Sequence, residues 1–236
     1  MTQKRRINKW TWILAMVIAS PVISQAQSMR FGIEAGPGMS ILYGNDFIKQ
    51  KNHSHPGACS GITFQYEFSN HLSLKTGINY ELKSSETGQV EFTNQNGELL
   101  GTGKAVLNFN YISLPVLFRY EFGKARNYFV NAGPYAAYLM KSETKTVINT
   151  LTHTTEKFSV VVNGYEKFEY GLIFGVGYQR KINEHFIVSG EIRNNLGLSS
   201  ILSPIQNPVN SRGIINWPLK TESIFFVFGC QYLLGK

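Results

Sequence analysis

Charged side chains recur at even spacing along this sequence, and they are the first residues whose types could support chemistry. They alternate with large apolar residues, as in residues 170–198, and would therefore share one face of extended strands. Acids and bases on one such face suit either a proton or ion path or a set of structural ion pairs. We predict structural ion pairs, because charges in a narrow interior are tolerated only when paired. The predicted interior network comprises Glu34, Glu67, Lys75, Glu81, Arg119, Glu121, Glu169, Glu191 and Arg193, with Lys181 on the same face.

Two histidines in the stretch "HSHP", His53 and His55, are the other candidates for chemistry, as metal ligands or as part of a hydrolase. No third ligand follows nearby, and a catalytic triad needs positioned partners. The sequence contains nothing like GxSxG, a P-loop, HExxH or CxxC. We therefore predict no catalytic, cofactor or metal site and no enzyme, with a lipid-modifying hydrolase as the remaining enzymatic alternative.

The N-terminus has the composition of an export signal. A basic stretch, "MTQKRRINK", leads into the apolar run 10–23 and then into "SQAQ", with small residues placed for cleavage after Ala26. The run is short for a spanning helix, although a retained anchor is the alternative. We predict a signal peptide over residues 1–26 and one domain over 27–236. Removing the signal peptide lowers the net charge from +8 to +4, since it holds four basic residues and no acid, and so removes the argument for nucleic-acid binding.

The rest of the chain has the pattern of eight strands, each with alternating apolar and polar residues. Apolar residues alternate with polar ones in runs over 29–43, 58–68, 72–83, a run ending at 122, 128–140, two runs within 170–198, and 224–234. Short turns alternate with long loops at 44–56, 84–103, 141–166 and 199–219. This alternation of turn and loop lengths is typical of an up-and-down transmembrane barrel. We predict an all-β, eight-stranded antiparallel barrel in the outer membrane with both termini in the periplasm.

Aromatic residues indicate which face of the strands meets lipid. They gather on the apolar face beside the short turns and the C-terminus, where a membrane interface would lie: Tyr66, Phe68, Tyr120, Phe122, Tyr128, Tyr178, Phe186 and Tyr232. Charged residues are only 16% of the chain, which also favours a surface that faces lipid. A soluble lipocalin-like barrel or a secreted sandwich with the apolar face inside is the alternative.

Strand parity, the alternation of side chains between the two faces of a strand, also places the two cysteines on opposite faces. Cys59 points inward near the outer rim, and Cys230 points outward near the periplasmic end of the last strand. Their separation along the strands far exceeds the ~7 Å that a disulfide can span between Cα atoms. We predict two free thiols.

The segments "YISLPVLFRYEFG", "YFVNAGPYAAYLM", "YGLIFGVGYQRKI" and "FIVSGEIRNNLGLSSI" resemble the PorT-like outer-membrane β-barrel proteins of Bacteroidota. The resemblance covers nearly the whole mature chain and rests on strand patterns without a catalytic signature. It implies an eight-stranded barrel in a Gram-negative outer membrane. It also implies, as one expectation, an accessory role in a protein-secretion system.

A set of lysines falls where the predicted strands meet their long loops: Lys83, Lys104, Lys141, Lys167 and Lys220. At equivalent heights they would form a rim that either marks the membrane edge or holds lipopolysaccharide phosphates. We expect a monomeric barrel without an open channel, surrounded by outer-membrane lipid and lipopolysaccharide. It would act through its long loops in surface binding or envelope integrity, with docking to an envelope protein partner as the alternative.

Overall fold

The computed structural model of the chain describes residues 28–44, 52–93, 96, 99–150, 155–202, 209–210, 213–214 and 218–234. The predicted signal peptide lies outside these residues and stays a prediction. Within the described ranges, no helix is long and apolar enough to cross a membrane.

The described chain consists of antiparallel strands joined by turns and loops. The strands are β1 Met29–Tyr43, β2 Asn52–Glu67, β3 Leu72–Thr87, β4 Val90–Thr93, β5 Leu99–Phe122, β6 Tyr128–Thr150, β7 Thr155–Val161, β8 Phe168–Lys181, β9 Phe186–Gly197, β10 Val209–Asn210, β11 Gly213–Ile214 and β12 Lys220–Leu234.

Eight of these strands close into a ring in the order β1-β2-β3-β5-β6-β8-β9-β12, and β12 pairs again with β1. The predicted eight-stranded up-and-down barrel is confirmed. The first and last strands meet from Met29 opposite Leu234 to Tyr43 opposite Lys220, which leaves no free edge in the ring. The remaining strands lie outside the ring: β4 and β7 pair with the outer parts of β5 and β6, and β10 pairs with β11.

Side-chain burial follows the two-residue period of the strands. On β8, Phe174 and Val176 point outward and are 51% and 57% exposed. Glu169 and Ile173 occupy the alternate, inward positions and are fully buried. Large apolar side chains thus form the outer wall and polar ones line much of the interior, as predicted, although a cluster of apolar side chains is also buried inside. Cys59 is buried, Cys230 is exposed, and both are free thiols as predicted.

The aromatic residues predicted for the periplasmic interface form a band, and many of them pack against one another. Ring centroids of Phe122 and Tyr128 lie 5.8 Å apart, and those of Tyr128 and Tyr178 lie 5.4 Å apart. On β9 and β12, the next strands of the ring, Phe186 and Tyr232 lie 5.3 Å apart in an edge-to-face arrangement. The band lies beside the short turns, where amphipathic rings suit the boundary between lipid and water.

The strand ends on the loop side differ from the predicted ones. β2 begins at Asn52 rather than 58, β3 ends at Thr87 rather than 83, and β6 ends at Thr150 rather than 140. The physical reason is that β5 and β6 stay paired from the barrel out to Gly101 and Thr150, so hydrogen bonding continues after the apolar band has ended. The stretches predicted as loops 84–103 and 141–166 are therefore largely strand, and they form a sheet that rises beyond the barrel.

Candidate functional site

The interior of the barrel contains three tiers of charged side chains, beginning at the periplasmic end. In the lower tier, the Arg30 guanidinium pairs with both Glu67 and Glu121, the latter at 3.0 Å. Arg119 donates from Nε to Glu121 Oε1 at 3.2 Å and from Nη2 to Gln179 Oε1 at 2.6 Å. Two cations thus balance two carboxylates, and all four side chains make charge-assisted hydrogen bonds.

The middle tier has the same balance. Arg193 donates from Nη1 and Nη2 to the two oxygens of Glu34, at 2.6 and 3.0 Å, in a bidentate pair. Arg193 also donates to both oxygens of Glu191 at 2.9 Å. Lys75 Nζ completes the tier at 2.7 Å from Glu34 Oε2 and 3.6 Å from Glu191 Oε2. Glycine makes room for this tier, because a Cβ at Gly175 would lie 2.2 Å from Glu191 Oε1.

The upper tier holds one lysine between two carboxylates. Lys83 Nζ donates to Glu169 Oε1 at 2.5 Å and lies 3.6 Å from Glu81 Oε2. The ammonium also sits 5.0 Å from the ring centroids of Tyr111 and Tyr135, which is within the range of cation–π attraction. This tier therefore carries one more carboxylate than cation, and the second oxygens of Glu81 and Glu169 are buried without a hydrogen-bond partner in the described structure.

An apolar cluster, which we call the apolar cap, surrounds the upper tier, reaches down to Leu117 opposite Lys75, and extends outward to the last long loop. It combines inward residues of the strands with side chains from the last long loop, and it is formed by Leu42, Phe109, Tyr111, Leu117, Tyr135, Ala137, Leu139, Ile173, Ile201 and Leu219. Tyr165 packs edge-to-face on Phe109, with ring centroids 4.9 Å apart. The tiers and the cap together fill the barrel along its length with side chains, as expected for eight strands.

The structure brings together all nine residues predicted for the interior network, and it adds others. Arg30, Gln65 and Gln179 join the lower tier, where Gln65 donates to Glu121 at 3.2 Å. Arg30 could have been found from the sequence, because it shares the parity of Glu34 on β1. Lys181, predicted on the inner face, is instead exposed at the periplasmic end of β8.

The prediction that Lys83 belongs to the outer rim is wrong. Its side chain is 1% exposed and lies inside the barrel as part of the upper tier. The reason is that β3 continues past position 83, where the side chain has the same inward parity as Glu81. Parity determines whether a strand lysine points into or out of the barrel, whereas the rim prediction considered only how far along its strand Lys83 lies.

The other predicted rim lysines lie at the outer end of the barrel. Lys104 donates to Glu86 at 2.7 Å and holds the pKa of that carboxyl below its usual value. Lys141 donates to Glu143 at 2.7 Å, and this hydrogen bond, with a second from Ser159, lowers the pKa of Glu143. Lys167 is exposed just before β8, and Lys220 is half-buried at the start of β12.

We define the outer extension as β4, β7 and the outer parts of β5 and β6, residues 99–107 and 142–150. On its outward face, Val147 of β6 lies between Lys104 of β5 and Lys157 of β7 at the same level. Lys145 lies two residues away on that face, and these three lysines are all exposed. Lys145 and Lys157 were not predicted, because residues 141–166 read as loop and a loop has no defined face.

The histidines predicted as weak candidates lie near the outer end of β2. His53 is exposed opposite Glu86 of β3, and His55 is half-buried with Nδ1 3.4 Å from the carbonyl of Pro56. In the part of the chain that the structure describes, no three His, Cys, Asp or Glu residues form a group that could hold a metal ion.

Sequence comparison identifies the family. The profile of the family described as "Outer membrane protein beta-barrel domain" matches residues 24–203. No curated protein matches the chain by sequence. Among solved structures, the chain is similar to Ail, the attachment invasion locus protein of Yersinia pestis, in complex with the heparin analogue sucrose octasulfate. Identity is 12%, the match covers 87% of this chain and 99% of that one, and the TM-score is 0.37.

Two further similarities involve the outer membrane protein OprG from Pseudomonas aeruginosa and the outer membrane protease OmpT from Escherichia coli. OprG is 13% identical, with 89% of this chain and 97% of that chain covered and a TM-score of 0.35. OmpT is 8% identical, with 90% and 98% covered and a TM-score of 0.35. Because the family profile matches most of the chain, and the eight strands close into a ring with an apolar outer wall, the protein belongs to the outer membrane protein beta-barrel domain family and resides in the outer membrane.

Proposed function

We propose that this barrel is a surface protein without an open channel that binds lipopolysaccharide through its outer extension and so contributes to envelope integrity. The observation that carries the proposal is the basic outward face around Val147. Three exposed lysines on adjacent strands surround this valine on a face that continues the lipid-facing wall of the barrel. That face lies on the loop side of the apolar band, and in the proposal it reaches the outer-leaflet headgroups.

The chemistry of these side chains fits phosphate groups. Lysine is a flexible point charge that can meet a phosphate from several angles. Each exposed contact is weak and screened by salt, but several on one surface bind together. The proposed lipopolysaccharide-facing set is Lys104, Lys141, Lys145, Lys157, Lys167 and Lys220. Lys104 and Lys141 are paired with glutamates, but exposed pairs of this kind contribute little and exchange easily.

Native mass spectrometry of the purified barrel tests the proposal. Replacing Lys104, Lys145 and Lys157 by Gln should lower the lipopolysaccharide retained per barrel while leaving the fold intact. Lys124→Gln with Lys181→Gln serves as a matched control, because both of these lysines are exposed at the periplasmic end. Equal retention by the outer triple variant and the periplasmic double variant would refute the proposal.

The alternative function is an accessory subunit of an envelope machine. The resemblance of the strand segments to PorT-like proteins supports it, and a finer placement among the PorT-like barrels of Bacteroidota stays a prediction. A subunit that docks through its wall or periplasmic turns should keep its phenotype when the outer extension is removed. A barrel that works by surface binding should lose it. Gentle solubilisation followed by co-purification would identify a docking partner directly.

A further inference from the structure

Gly190 interrupts the apolar outer wall of the barrel. It lies on the lipid-facing side of β9, between the exposed Val188 and Ile192, at a position that large apolar residues occupy elsewhere on this wall. The pairing of β9 continues through Gly190 without a bulge, opposite Tyr178 of β8 and Phe228 of β12. Glycine weakens a strand interior, so its presence in an unbroken strand needs a reason.

The packing of the protein itself does not supply that reason. A Cβ at position 190 would meet nothing within 4 Å, whereas a Cβ at Gly177, on the neighbouring strand, would lie 2.3 Å from the Phe129 ring. Gly177 faces inward and makes space for a lumen side chain. Gly190 leaves space on the outside, and glycine without an internal cause often marks the close approach of a ligand.

The space at Gly190 is part of an apolar groove of about 590 Å³ in the outer wall. Val176, Tyr178, Ile192, Phe226 and Phe228 line it, together with Tyr128 of the periplasmic aromatic band. The groove therefore begins at the level of the periplasmic headgroups and runs into the hydrocarbon. An apolar groove with this position and lining suits an extended acyl chain.

A cation lies at the periplasmic end of the groove. Arg180 is exposed on the same face of β8 as Tyr178, two residues nearer the periplasm, or about 7 Å along the strand. No salt bridge among the described residues involves Arg180. Its guanidinium can hold a phosphate through two parallel hydrogen bonds, which a lysine cannot do.

We propose that the groove at Gly190 binds one glycerophospholipid of the periplasmic leaflet, with an acyl chain over Gly190 and the phosphate on Arg180. An apolar channel and a basic group separated by two strand residues match the order of acyl chain, glycerol and phosphate in such a lipid. Lipopolysaccharide does not fit this site, because Arg180 lies at the periplasmic end of the barrel and lipopolysaccharide occupies the outer leaflet. The site is thus separate from the lysines of the outer extension.

Titration of the purified barrel with dioleoylphosphatidylglycerol, followed by native mass spectrometry, tests the site. The wild-type barrel should retain one lipid saturably. Gly190→Leu fills part of the groove, and because a Cβ there has nothing within 4 Å, the barrel should fold while its affinity for the lipid falls about tenfold. Arg180→Gln should lower the affinity for the lipid by a similar factor, because it removes the phosphate contact.

Two matched variants separate the site from general effects on the wall. Ala136→Leu adds the same bulk at an exposed position between Leu114 and Tyr170, away from the groove. Lys181→Gln removes the exposed cation next to Arg180, which by strand alternation belongs to the opposite face of β8. Both variants should bind the lipid as the wild type does. The proposal is overturned if Gly190→Leu retains wild-type affinity, if Ala136→Leu weakens binding equally, or if Arg180→Gln has no effect.

Discussion

Among single residues, Glu81 and Glu34 occupy interior sites that differ in charge balance. Glu34 belongs to a tier of two carboxylates and two cations, whereas Glu81 belongs to the upper tier, in which Lys83 alone faces two carboxylates. Removing one partner of a balanced buried pair leaves an uncompensated charge and costs several kcal/mol. Removing the surplus carboxylate leaves Lys83 paired with Glu169 alone.

We therefore expect Glu34→Gln to lower the free energy of unfolding by about 3–5 kcal/mol, and Glu81→Gln to change it by less than about 1 kcal/mol. Urea unfolding in lipid vesicles, followed by the gel shift between the folded and unfolded barrel, measures both. The glutamine at position 81 can still accept the hydrogen bonds of Ser113 and Asn195. Equal losses for the two variants would contradict the difference in charge balance.

Strand β8 carries phenylalanine at two different depths in the membrane, in both cases on its lipid-facing side. Phe174 lies mid-strand and is 51% exposed, and Phe168 lies at the outer end and is 63% exposed. An arginine on the lipid face costs about 2–4 kcal/mol at the bilayer midplane and about 0–1 kcal/mol near the interface. We expect Phe174→Arg to impair folding into vesicles strongly and Phe168→Arg to leave it nearly intact, as measured by the same gel shift. Similar behaviour of the two variants would place β8 elsewhere in the membrane.

The eight described strands of the ring form a closed barrel whose interior is filled by two kinds of side chain. The ion-paired tiers lie from the periplasmic end to the middle of the barrel, and the apolar cap surrounds the upper tier and extends to the outer end. We expect no stable pore current from the protein in planar lipid bilayers. The double variant Ile201→Ser with Leu219→Ser opens the cap, but it should also carry no current, because the tiers below remain. Regular single-channel steps from the wild type would contradict a filled interior.

Strand parity predicted the barrel and most of its interior, because a two-residue period records the face of every side chain. Parity correctly placed Glu34 and Arg193 inside, although they are 159 residues apart. It could not give strand ends, since the strands of the outer extension have left the lipid and no longer show the apolar–polar alternation, as in residues 141–150. That is why Lys83 was misplaced, and why the face formed by Lys145 and Lys157 was missed. The sequence also could not predict the open space at Gly190, because that space depends on side chains of the neighbouring strands β8 and β12.

The ion pairs of the interior have a consequence for how the chain enters the membrane. Several of them join the first half of the chain to the second: Arg193 of β9 pairs with Glu34 of β1, and Lys83 of β3 pairs with Glu169 of β8. The sheet β1–β5 contains its own ion pairs, such as Lys75 with Glu34, but Glu169 on β8 has its cation, Lys83, on β3 across the ring. The one interior arginine of β6–β12, Arg193, already pairs with Glu191. A carboxylate at Glu169 that entered hydrocarbon before the ring closed would cost several kcal/mol. We therefore expect β8 to reach its final place in the membrane only as the ring closes, with Glu169→Gln relaxing that order of insertion.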